Sequence, residues 1–398
     1  MAQREAGEGR APSGDPQGRT LVEDAGGRRP FMRGILIHSL MSRGVSFEDA
    51  YGVANDVRQR LRGRVVTREQ LAEAVAEACA RKGVAAEPPS PAVSPDITVA
   101  RPGEEAPFSK GILSQSLLAA ALEPHEAWDV ARRIEERLVR ERTPRIERSR
   151  LRQLTYETLK VAAGEPVARR YLVWRRHQDP RKPVILLLGG ATGVGKTSLA
   201  LEVAHRLGIG RVLSTDAIRQ VMRIMLSPEL MPAIHSSSYE VHSRADFEPT
   251  PGADPVVEAF VAQASTVAVG VRAMLDRAVA ENASLVLDGV SLLPGRLGLG
   301  AYADTAHVIF LVVATFDVEA WRARFSSRAE DETQRPVHRY LENLDAILRI
   351  QDYILELAEA HGVPIVENVS FDRTVLSILR HVTETLGKLD GSDAAELP

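Results

Sequence analysis

Two hydrophobic patterns divide this chain near residue 180. Before that point, apolar residues recur at helical spacing, as at Val53, Val57 and Leu61, which predicts amphipathic helices. From about Lys182 onward, short apolar runs alternate with amphipathic stretches. The second pattern predicts an α/β domain in which a parallel sheet of about five strands is flanked by helices.

Five apolar runs in the second half are the predicted strands. They cover residues 184–189, 212–215, 285–287, 308–314 and 364–366. After the first run, a helix is predicted to begin at Lys196 and to end at Gly208, a suitable C-terminal cap. Its apolar face comprises Leu199, Ala200, Val203, Ala204 and Leu207.

The first half contains an internal repeat. With the sequence shifted so that Phe31 falls on Phe108, the identities Gly34/Gly111, Ile35/Ile112, Leu36/Leu113, Ser39/Ser116 and Leu40/Leu117 follow without a gap. This similarity predicts two small, mainly helical units, at residues 19–86 and 96–178, joined by a proline-rich linker at 87–95. The polar ends at 1–18 and 391–398 are predicted to be disordered tails, which leaves 179–390 for the α/β domain.

Composition and charge narrow the classes of function. The 398 residues carry a formal net charge of -3, so there is no global basic excess for nucleic acid or an anionic membrane. The single cysteine, Cys79, excludes an intramolecular disulfide and is expected to be a buried structural thiol. No apolar run reaches the roughly 18 residues of a membrane span, and no signal peptide is evident. We therefore expect a cytoplasmic protein.

The motif that carries most information follows the first predicted strand and opens a helix. It reads G-x-x-x-x-G-K-[ST], a P-loop, and is followed by Ser198; its residues are Gly190, Ala191, Thr192, Gly193, Val194, Gly195, Lys196 and Thr197. In such a loop, backbone N–H groups and the helix N-terminus bind phosphates. Lys196 is predicted to reach the β and γ phosphates, and Thr197 to hold Mg²⁺. The motif therefore predicts ATP and Mg²⁺ as cofactors.

The second strand runs into a helix that brings an acid and two arginines together. If Ile218, Val221, Met222 and Met225 face the core, Asp216, Arg219 and Arg223 share the opposite side. That side can look into the cleft where open parallel sheets bind ligands. Asp216 would then orient or deprotonate an acceptor hydroxyl, and the arginines would bind an anionic acceptor. The alternative makes Asp216 a helix N-cap and the arginines a solvated face.

Further candidates lie downstream. Asp288, at the end of a strand, would hold a magnesium-bound water or orient the acceptor. An arginine-rich stretch suggests a lid in which Arg324, Arg328 and Arg335 close on the transferred phosphoryl group, or else a charged surface helix. His235 and Tyr239 belong to an irregular segment, residues 231–239, which either covers the acceptor or connects elements.

From about Ile97 to Val369, these motifs together resemble the 2-phosphoglycerate kinase family. The similarity is carried by the P-loop, by Ser214-Thr215-Asp216 through Arg223, by Leu230-Met231-Pro232 through Tyr239, and by Asp288-Gly289-Val290. It implies phosphorylation of the 3-hydroxyl of 2-phosphoglycerate to give 2,3-bisphosphoglycerate. The chain departs from the family at Asp288 and Ser291, where the family usually has Glu and His.

The two repeats resemble ATP-cone domains, which precede the kinase in that family. The second copy has the fuller pattern, including Pro107-Phe108-Ser109-Lys110-Gly111-Ile112. Where cones usually have a Lys-Arg pair, this chain has Glu23-Asp24 and Ala100-Arg101. We therefore expect the first copy not to bind nucleotide. Nucleotide binding stays open for the second copy, and the role we favour for the repeats is that of a helical scaffold or a unit for self-association into a homo-oligomer.

Taken together, the residues predict an ATP-dependent kinase for a small phosphorylated hydroxy acid, with no nucleic-acid or membrane partner. Two alternatives stay open at this point. One is a P-loop kinase for a different phosphorylated sugar, an inositol phosphate or a nucleotide sugar. The other is a nucleotide-responsive regulatory protein whose P-loop binds ATP without productive transfer.

Overall fold

A computed structural model describes residues 20–24, 27–31, 33–41, 43, 45–61, 64–84, 97–101, 104–177, 182–244, 247–319, 321 and 337–389. The predicted tails and the whole of the predicted linker fall outside these ranges. By internal contacts the chain divides into two units: residues 1–115 with 123–152, and residues 116–122 with 153–398. The P-loop half of the sequence lies in the second unit.

Each repeat has the same order of elements. The first copy contains β1 (Leu21–Asp24), β2 (Gly27–Pro30), α1 (Arg33–Met41), α2 (Phe47–Arg60), β3 (Val65–Thr67) and α3 (Arg68–Lys82). The second contains β4 (Thr98–Arg101), β5 (Glu104–Pro107), α4 (Lys110–Leu118), α5 (Pro124–Arg140), β6 (Arg145–Glu147) and α6 (Arg148–Ala162). The sheet orders β2-β1-β3 and β5-β4-β6 are equivalent, which supports the duplication inferred from sequence. The prediction of mainly helical units omitted these short sheets.

The first copy has a hydrophobic core of its own. This core joins the three helices and β3 through residues such as Leu40, Val53, Val57 and Val66. Cys79 is buried in the same cluster and is unpaired, and burial raises the pKa of its thiol. The predicted structural role of Cys79 agrees with this position, because a buried thiol with a raised pKa is a poor nucleophile.

The second unit is built around a five-stranded parallel sheet in the order β11-β10-β7-β9-β8. Its strands are β7 (Val184–Gly189), β8 (Val212–Ser214), β9 (Leu285–Asp288), β10 (His307–Ala314) and β11 (Ile365–Glu367). Its helices are α7 (Glu165–Arg176), α8 (Lys196–Leu207), α9 (Thr215–Met225), α10 (Pro255–Ala280), α11 (Val337–Glu342), α12 (Leu344–Ala360) and α13 (Phe371–Leu389). The predicted α/β class and all five strands are confirmed, with boundaries within one residue.

Alternation along the central strand explains the helices on both faces. Successive side chains of a strand point to opposite faces. Leu186 and Leu188 of β7 belong to a cluster with α8, α12 and α13, whereas Ile185 and Leu187 belong to a cluster with α10. Every residue of β7 is buried, so the loop that follows it begins from a rigid position.

Residues before the predicted start of the α/β domain contribute to its core. Ala119, Ala121 and Trp174 are buried in the cluster that contains α8 and α13, and Arg170 Nε donates a hydrogen bond to the Ala120 carbonyl at 2.9 Å. The second unit therefore begins earlier than residue 179, and it includes a short segment between α4 and α5.

Helix α10 corrects one inference from sequence. With 26 residues, it is long and apolar enough to span a membrane by length and composition alone, although no such run was expected. In the structure, residues such as Phe260, Val267 and Val271 are fully buried in the α/β core. A helix buried in a protein core can be as long and as apolar as a membrane span. What was wrong is therefore the expectation that no apolar stretch of this chain reaches that length.

Candidate active site

The motifs singled out in the sequence converge at the carboxyl edge of the sheet. The P-loop follows β7, Asp216 lies just after β8, and Asp288 ends β9. These three strands are parallel neighbours in the order β7-β9-β8. Because parallel strands end at the same edge, loops separated by about 100 residues in sequence meet there.

The P-loop is fixed by close backbone packing. Gly190 has a φ of 138°, and a Cβ at this position would overlap the Val313 carbonyl of β10, so only glycine fits. Lys196 is buried, and its Nζ donates to the Ala191 carbonyl at 2.6 Å. Asn368, after β11, donates from Nδ2 to the Val194 carbonyl at 2.8 Å. The loop is therefore shaped from both sides before any nucleotide binds.

Thr197 and Asp288 form the pair that could hold a magnesium ion. The Thr197 hydroxyl donates to Asp288 Oδ2 at 2.7 Å. Asp288 is 2% exposed, and its other oxygen, Oδ1, is buried without a hydrogen-bond partner. Burial raises the pKa of Asp288, while the Thr197 hydrogen bond and the Lys196 charge oppose this rise. An unsatisfied buried carboxylate oxygen beside a P-loop hydroxyl suits a cation.

The donor set around this pair fits magnesium better than most metals. Among the residues that the structure describes, no group of three or more His, Cys, Asp or Glu side chains could hold a metal. Mg²⁺ needs no such group, because it is commonly bound through one or two protein oxygens, with water and substrate phosphates completing its shell.

A cleft of about 410 Å³ opens beside the P-loop. It is lined by polar and charged side chains with a few aromatic and apolar ones, namely Thr192, Asp216, Arg219, Arg223, residues 235–240, Val290, Arg339 and Tyr340. Thr192 belongs to the P-loop, so the cleft lies where an acceptor would meet the γ-phosphate. The sequence candidates Asp216, Arg219, Arg223, His235 and Tyr239 all line this one cavity.

The two arginines of α9 differ in their contacts. The Arg219 guanidinium donates to the carbonyls of Ile234 and Ser236, at 3.1 and 3.0 Å, and to Asp216 at 3.1 Å. Arg223 donates to Gln220, while its Nε is buried without a partner. Arg219 is therefore tied to residues 234–236, whereas the hydrogen bond of Arg223 stays within its own helix.

Asp216 is not the cap of its helix. Ser214 is the N-cap of α9, and its hydroxyl accepts from the Ala217 N–H at 3.1 Å. The Asp216 side chain is 59% exposed and contacts Arg219. The alternative in which Asp216 serves as an N-cap is therefore wrong, because the preceding serine already fills that role.

The expected apolar face of α9 is only half right. Ile218 and Met222 pack toward α10, where a Cβ at Gly270 would be 3.5 Å from the Met222 sulfur. Val221 and Met225 are 58% and 78% exposed, contrary to the prediction. A single helix, α10, covers one narrow stripe of α9, so the flanking apolar positions stay in solvent.

Residues 235–240 form one wall of the cleft. His235 Nε2 hydrogen bonds with the Leu226 carbonyl at 2.8 Å, and the buried Tyr239 ring lies 5.8 Å from Tyr340. Arg339 forms a bidentate pair with Glu240, in which Nε donates to Oε1 at 3.1 Å and Nη2 donates to Oε2 at 2.8 Å. Neither Glu240 nor Tyr340 was predicted from the sequence to be a site residue. The arginines predicted to reach the site were Arg324, Arg328 and Arg335, and Arg339 was not among them. Only the arginine richness of the stretch signalled its proximity to the site.

Two sequence inferences remain to be placed. Arg324, Arg328 and Arg335, expected in a lid, lie outside the described residues. Ser291, where the resembled family has His, is 3% exposed and does not line the cleft among the described residues. The adjacent Val290 lines it instead.

Comparison with known proteins gives consistent results for both parts of the chain. A family model described as the ATP cone domain matches residues 98–180. The 2-phosphoglycerate kinase of Methanopyrus kandleri is 38% identical over 285 residues, which cover 71% of this chain and 86% of the relative. That of Methanothermobacter thermautotrophicus is 38% identical over 73% of this chain and 94% of the relative. That of Pyrococcus furiosus is 35% identical over 73% and 95%.

Solved structures give a weaker likeness. A shikimate kinase from Acinetobacter baumannii, in complex with shikimate, has a TM-score of 0.30 and 14% identity, covering 54% of this chain and 97% of that one. A gluconokinase from Sinorhizobium meliloti has a TM-score of 0.29 and 16% identity, covering 53% and 95%. These likenesses are too distant to bear on function. The sequence relatives, by contrast, match over most of their length, and the chain belongs to the 2-phosphoglycerate kinase family.

Proposed function

We propose that this protein transfers the γ-phosphoryl group of Mg-ATP to the 3-hydroxyl of 2-phosphoglycerate, giving 2,3-bisphosphoglycerate in the cytoplasm. The observation that carries the proposal is the cleft beside the P-loop, which is lined by the carboxylate of Asp216, by Arg223 and by the P-loop residue Thr192. The kinship with 2-phosphoglycerate kinases names the acceptor. No nucleic acid or membrane takes part in this proposal.

The acceptor needs two anion contacts and an oriented hydroxyl. 2-Phosphoglycerate carries both its carboxylate and its phosphate on C2, next to the C3 carbon that bears its reacting primary alcohol. In the proposed complex, Arg223 binds one anionic group, because its side chain lines the cleft and its hydrogen bond to Gln220 stays within α9. Charge-assisted hydrogen bonds from a guanidinium suit both carboxylate and phosphate. The hydroxyl groups of residues 236–238, which line the same cleft, supply further donors.

The nucleotide is held by the P-loop in this proposal. Backbone N–H groups of residues 190–198 and Lys196 bind its phosphates, and Thr197 with Asp288 holds the metal. Mg²⁺, when bound, neutralises charge on the β and γ phosphates and draws them into position. The Lys196 contact with the Ala191 carbonyl would be exchanged for phosphate oxygens.

Asp216 acts on the acceptor hydroxyl. Its carboxylate is exposed to the cleft, so it can accept the proton of the 3-hydroxyl as that oxygen bonds to the γ-phosphorus and the bond to the ADP oxygen breaks. The salt bridge with Arg219 fixes the direction of the carboxylate. General bases of this kind contribute roughly 10²- to 10⁴-fold to the rate.

The test combines product identification with one substitution. Full-length protein is incubated with Mg-ATP and 2-phosphoglycerate, 3-phosphoglycerate or glycerate, and products are identified by ³¹P NMR and mass spectrometry. We expect 2,3-bisphosphoglycerate from 2-phosphoglycerate and little turnover of glycerate. Arg223→Lys should lower kcat/KM for the acceptor by roughly 10- to 150-fold while the KM of ATP is maintained.

The matched control is Arg211→Lys, since Arg211 pairs with Glu281 away from the cleft and should leave the kinetics unchanged. Phosphorylation of a sugar or inositol derivative in place of 2-phosphoglycerate would refute the acceptor but keep the chemistry. ATP hydrolysis with no phosphorylated product from any acceptor would refute the kinase itself.

A further inference from the structure

A buried glutamine interrupts the apolar face of helix α10. Gln263 is 1% exposed and lies one turn from Phe260 and Val267, both fully buried. Burying an amide is unfavourable unless its donors and acceptors are paired. A leucine or methionine would fill this position without that requirement, so the amide needs a specific explanation.

The Gln263 amide holds a segment of the cleft wall. Its Nε2 donates to the Ala233 carbonyl at 2.7 Å and to the Ser236 carbonyl at 2.9 Å. Because both partners are carbonyl oxygens, the NH₂ group must face them, which fixes the orientation of the amide. Ala233 lies within the short 3-10 turn Pro232–His235, and Ser236 follows it directly as its C-cap.

Arg219 completes the same arrangement from α9. It donates to the carbonyls of Ile234 and Ser236, so the Ser236 carbonyl accepts from both helices. Two side chains from separate helices thus hold three carbonyls in and next to one irregular turn, those of Ala233, Ile234 and Ser236. The residues that follow this turn, up to Glu240, line the same cleft as the P-loop residue Thr192.

We propose that Gln263 is a positioning residue that sets the affinity and the placement of the acceptor through this turn. Gln263 does not contact the acceptor; it holds the Ser236 backbone so that the polar side chains of residues 235–238 face the cleft. This inference rests on the proposed function for the identity of the acceptor. It assigns Arg219 a scaffold role, distinct from the ligand-binding role of Arg223.

The inference separates the two substrates. The turn faces the acceptor, whereas ATP is held by the P-loop, so loosening the turn should affect only the acceptor. Loss of two neutral hydrogen bonds that hold one segment should lower acceptor kcat/KM by about 10-fold. The KM of ATP should change by no more than about twofold.

The test variant is Gln263→Met, which removes both donors and keeps a long unbranched side chain. Gln351→Met is the matched control, because Gln351 is a second buried glutamine whose amide exchanges two hydrogen bonds with the Thr315 backbone. Both variants lose a buried amide, but only Gln263→Met should lower kcat/KM for the acceptor. If Gln263→Met does not fold, Gln263→Asn keeps the amide and withdraws it by one methylene.

Hydrogen exchange gives a readout that needs no acceptor. Backbone amides of residues 233–240 should exchange faster in Gln263→Met than in the parent, and they should exchange at the parental rate in Gln351→Met. The inference is overturned if Gln263→Met impairs the kinetics of ATP and of the acceptor equally. It is also overturned if neither the acceptor kinetics nor the hydrogen exchange of this segment changes. If the parent fails to phosphorylate 2-phosphoglycerate, the proposed function is refuted; exchange then tests the positioning role alone, and unchanged exchange rejects it.

Discussion

At the scale of single residues, Asp216 can be separated from the stability of its helix. Ser214 caps α9, so removing the Asp216 charge should leave the cap intact. We expect Asp216→Asn to lower kcat by roughly 10²- to 10⁴-fold with little change in the affinity for ATP.

Ser214→Ala is the comparison for Asp216→Asn. It should lower the free energy of unfolding by about 1 kcal/mol and retain most activity. Steady-state kinetics, nucleotide titration and thermal melts of both variants check the pair. A destabilised but fully active Asp216→Asn would contradict the assignment.

Lys196 provides the second residue-scale prediction. Its ammonium group is buried in the P-loop and donates to the Ala191 carbonyl. Phosphate oxygens would take over as its acceptors when the nucleotide binds. Lys196→Ala should reduce phosphoryl transfer by on the order of 10²- to 10³-fold or more and keep the fold. Circular dichroism and initial rates measure the two effects, and activity within a few-fold of the parent would exclude the P-loop as the catalytic nucleotide site.

Asp288 should show opposite effects on stability and function. Burial raises the pKa of Asp288, which means that the charged carboxylate destabilises the metal-free fold. Asp288→Asn keeps an acceptor for the Thr197 hydroxyl and removes that charge, so Tm without nucleotide should rise. Activity should fall by about 100-fold or more, and the increase in Tm on adding Mg-ATP should shrink.

Thermal melts with and without Mg-ATP give both Asp288 measurements on the same sample. A lower Tm in the metal-free variant would show that the carboxylate stabilises the fold. The same gain in Tm as the parent on adding Mg-ATP would argue against a metal role for this residue.

At the scale of elements, the first repeat should be dispensable. It has its own core, and the chain that follows it begins a new three-stranded sheet at Thr98. Removing residues 1–95 should therefore leave a soluble kinase with kcat within about twofold of the full chain, as measured by size-exclusion chromatography and initial rates. An insoluble product would mean that the repeats fold only together.

How far the elements could be predicted depended on their length and burial. Strands such as β7 are continuous apolar runs bounded by glycine or proline, so their pattern is unambiguous. The strands of the repeats have three or four residues, too few for an alternation to be distinguished from a turn. Similarly, sequence cannot show that α9 packs through Ile218 and Met222 alone, because the width of its buried face depends on the partner helix.

The site was predictable where its residues are contiguous. The P-loop and the segment Asp216–Arg223 are each read from neighbouring positions. By contrast, the Arg339–Glu240 pair joins residues 99 apart, and Gln263 meets Ser236 across 27. Nothing in the local pattern of α10 distinguishes a glutamine that faces a turn from one that faces solvent.

At the scale of the whole molecule, the contact between Asn368 and the P-loop spans nearly half the chain. The Asn368 amide binds the Val194 carbonyl 174 residues earlier in sequence, and its own carbonyl oxygen accepts from Thr374 at the start of α13. During synthesis, the P-loop therefore leaves the ribosome long before the group that holds its shape. A nascent chain acquires this support for its nucleotide cradle only after residue 368 has been made, so we expect ATP to stabilise shorter nascent chains less than chains that contain Asn368.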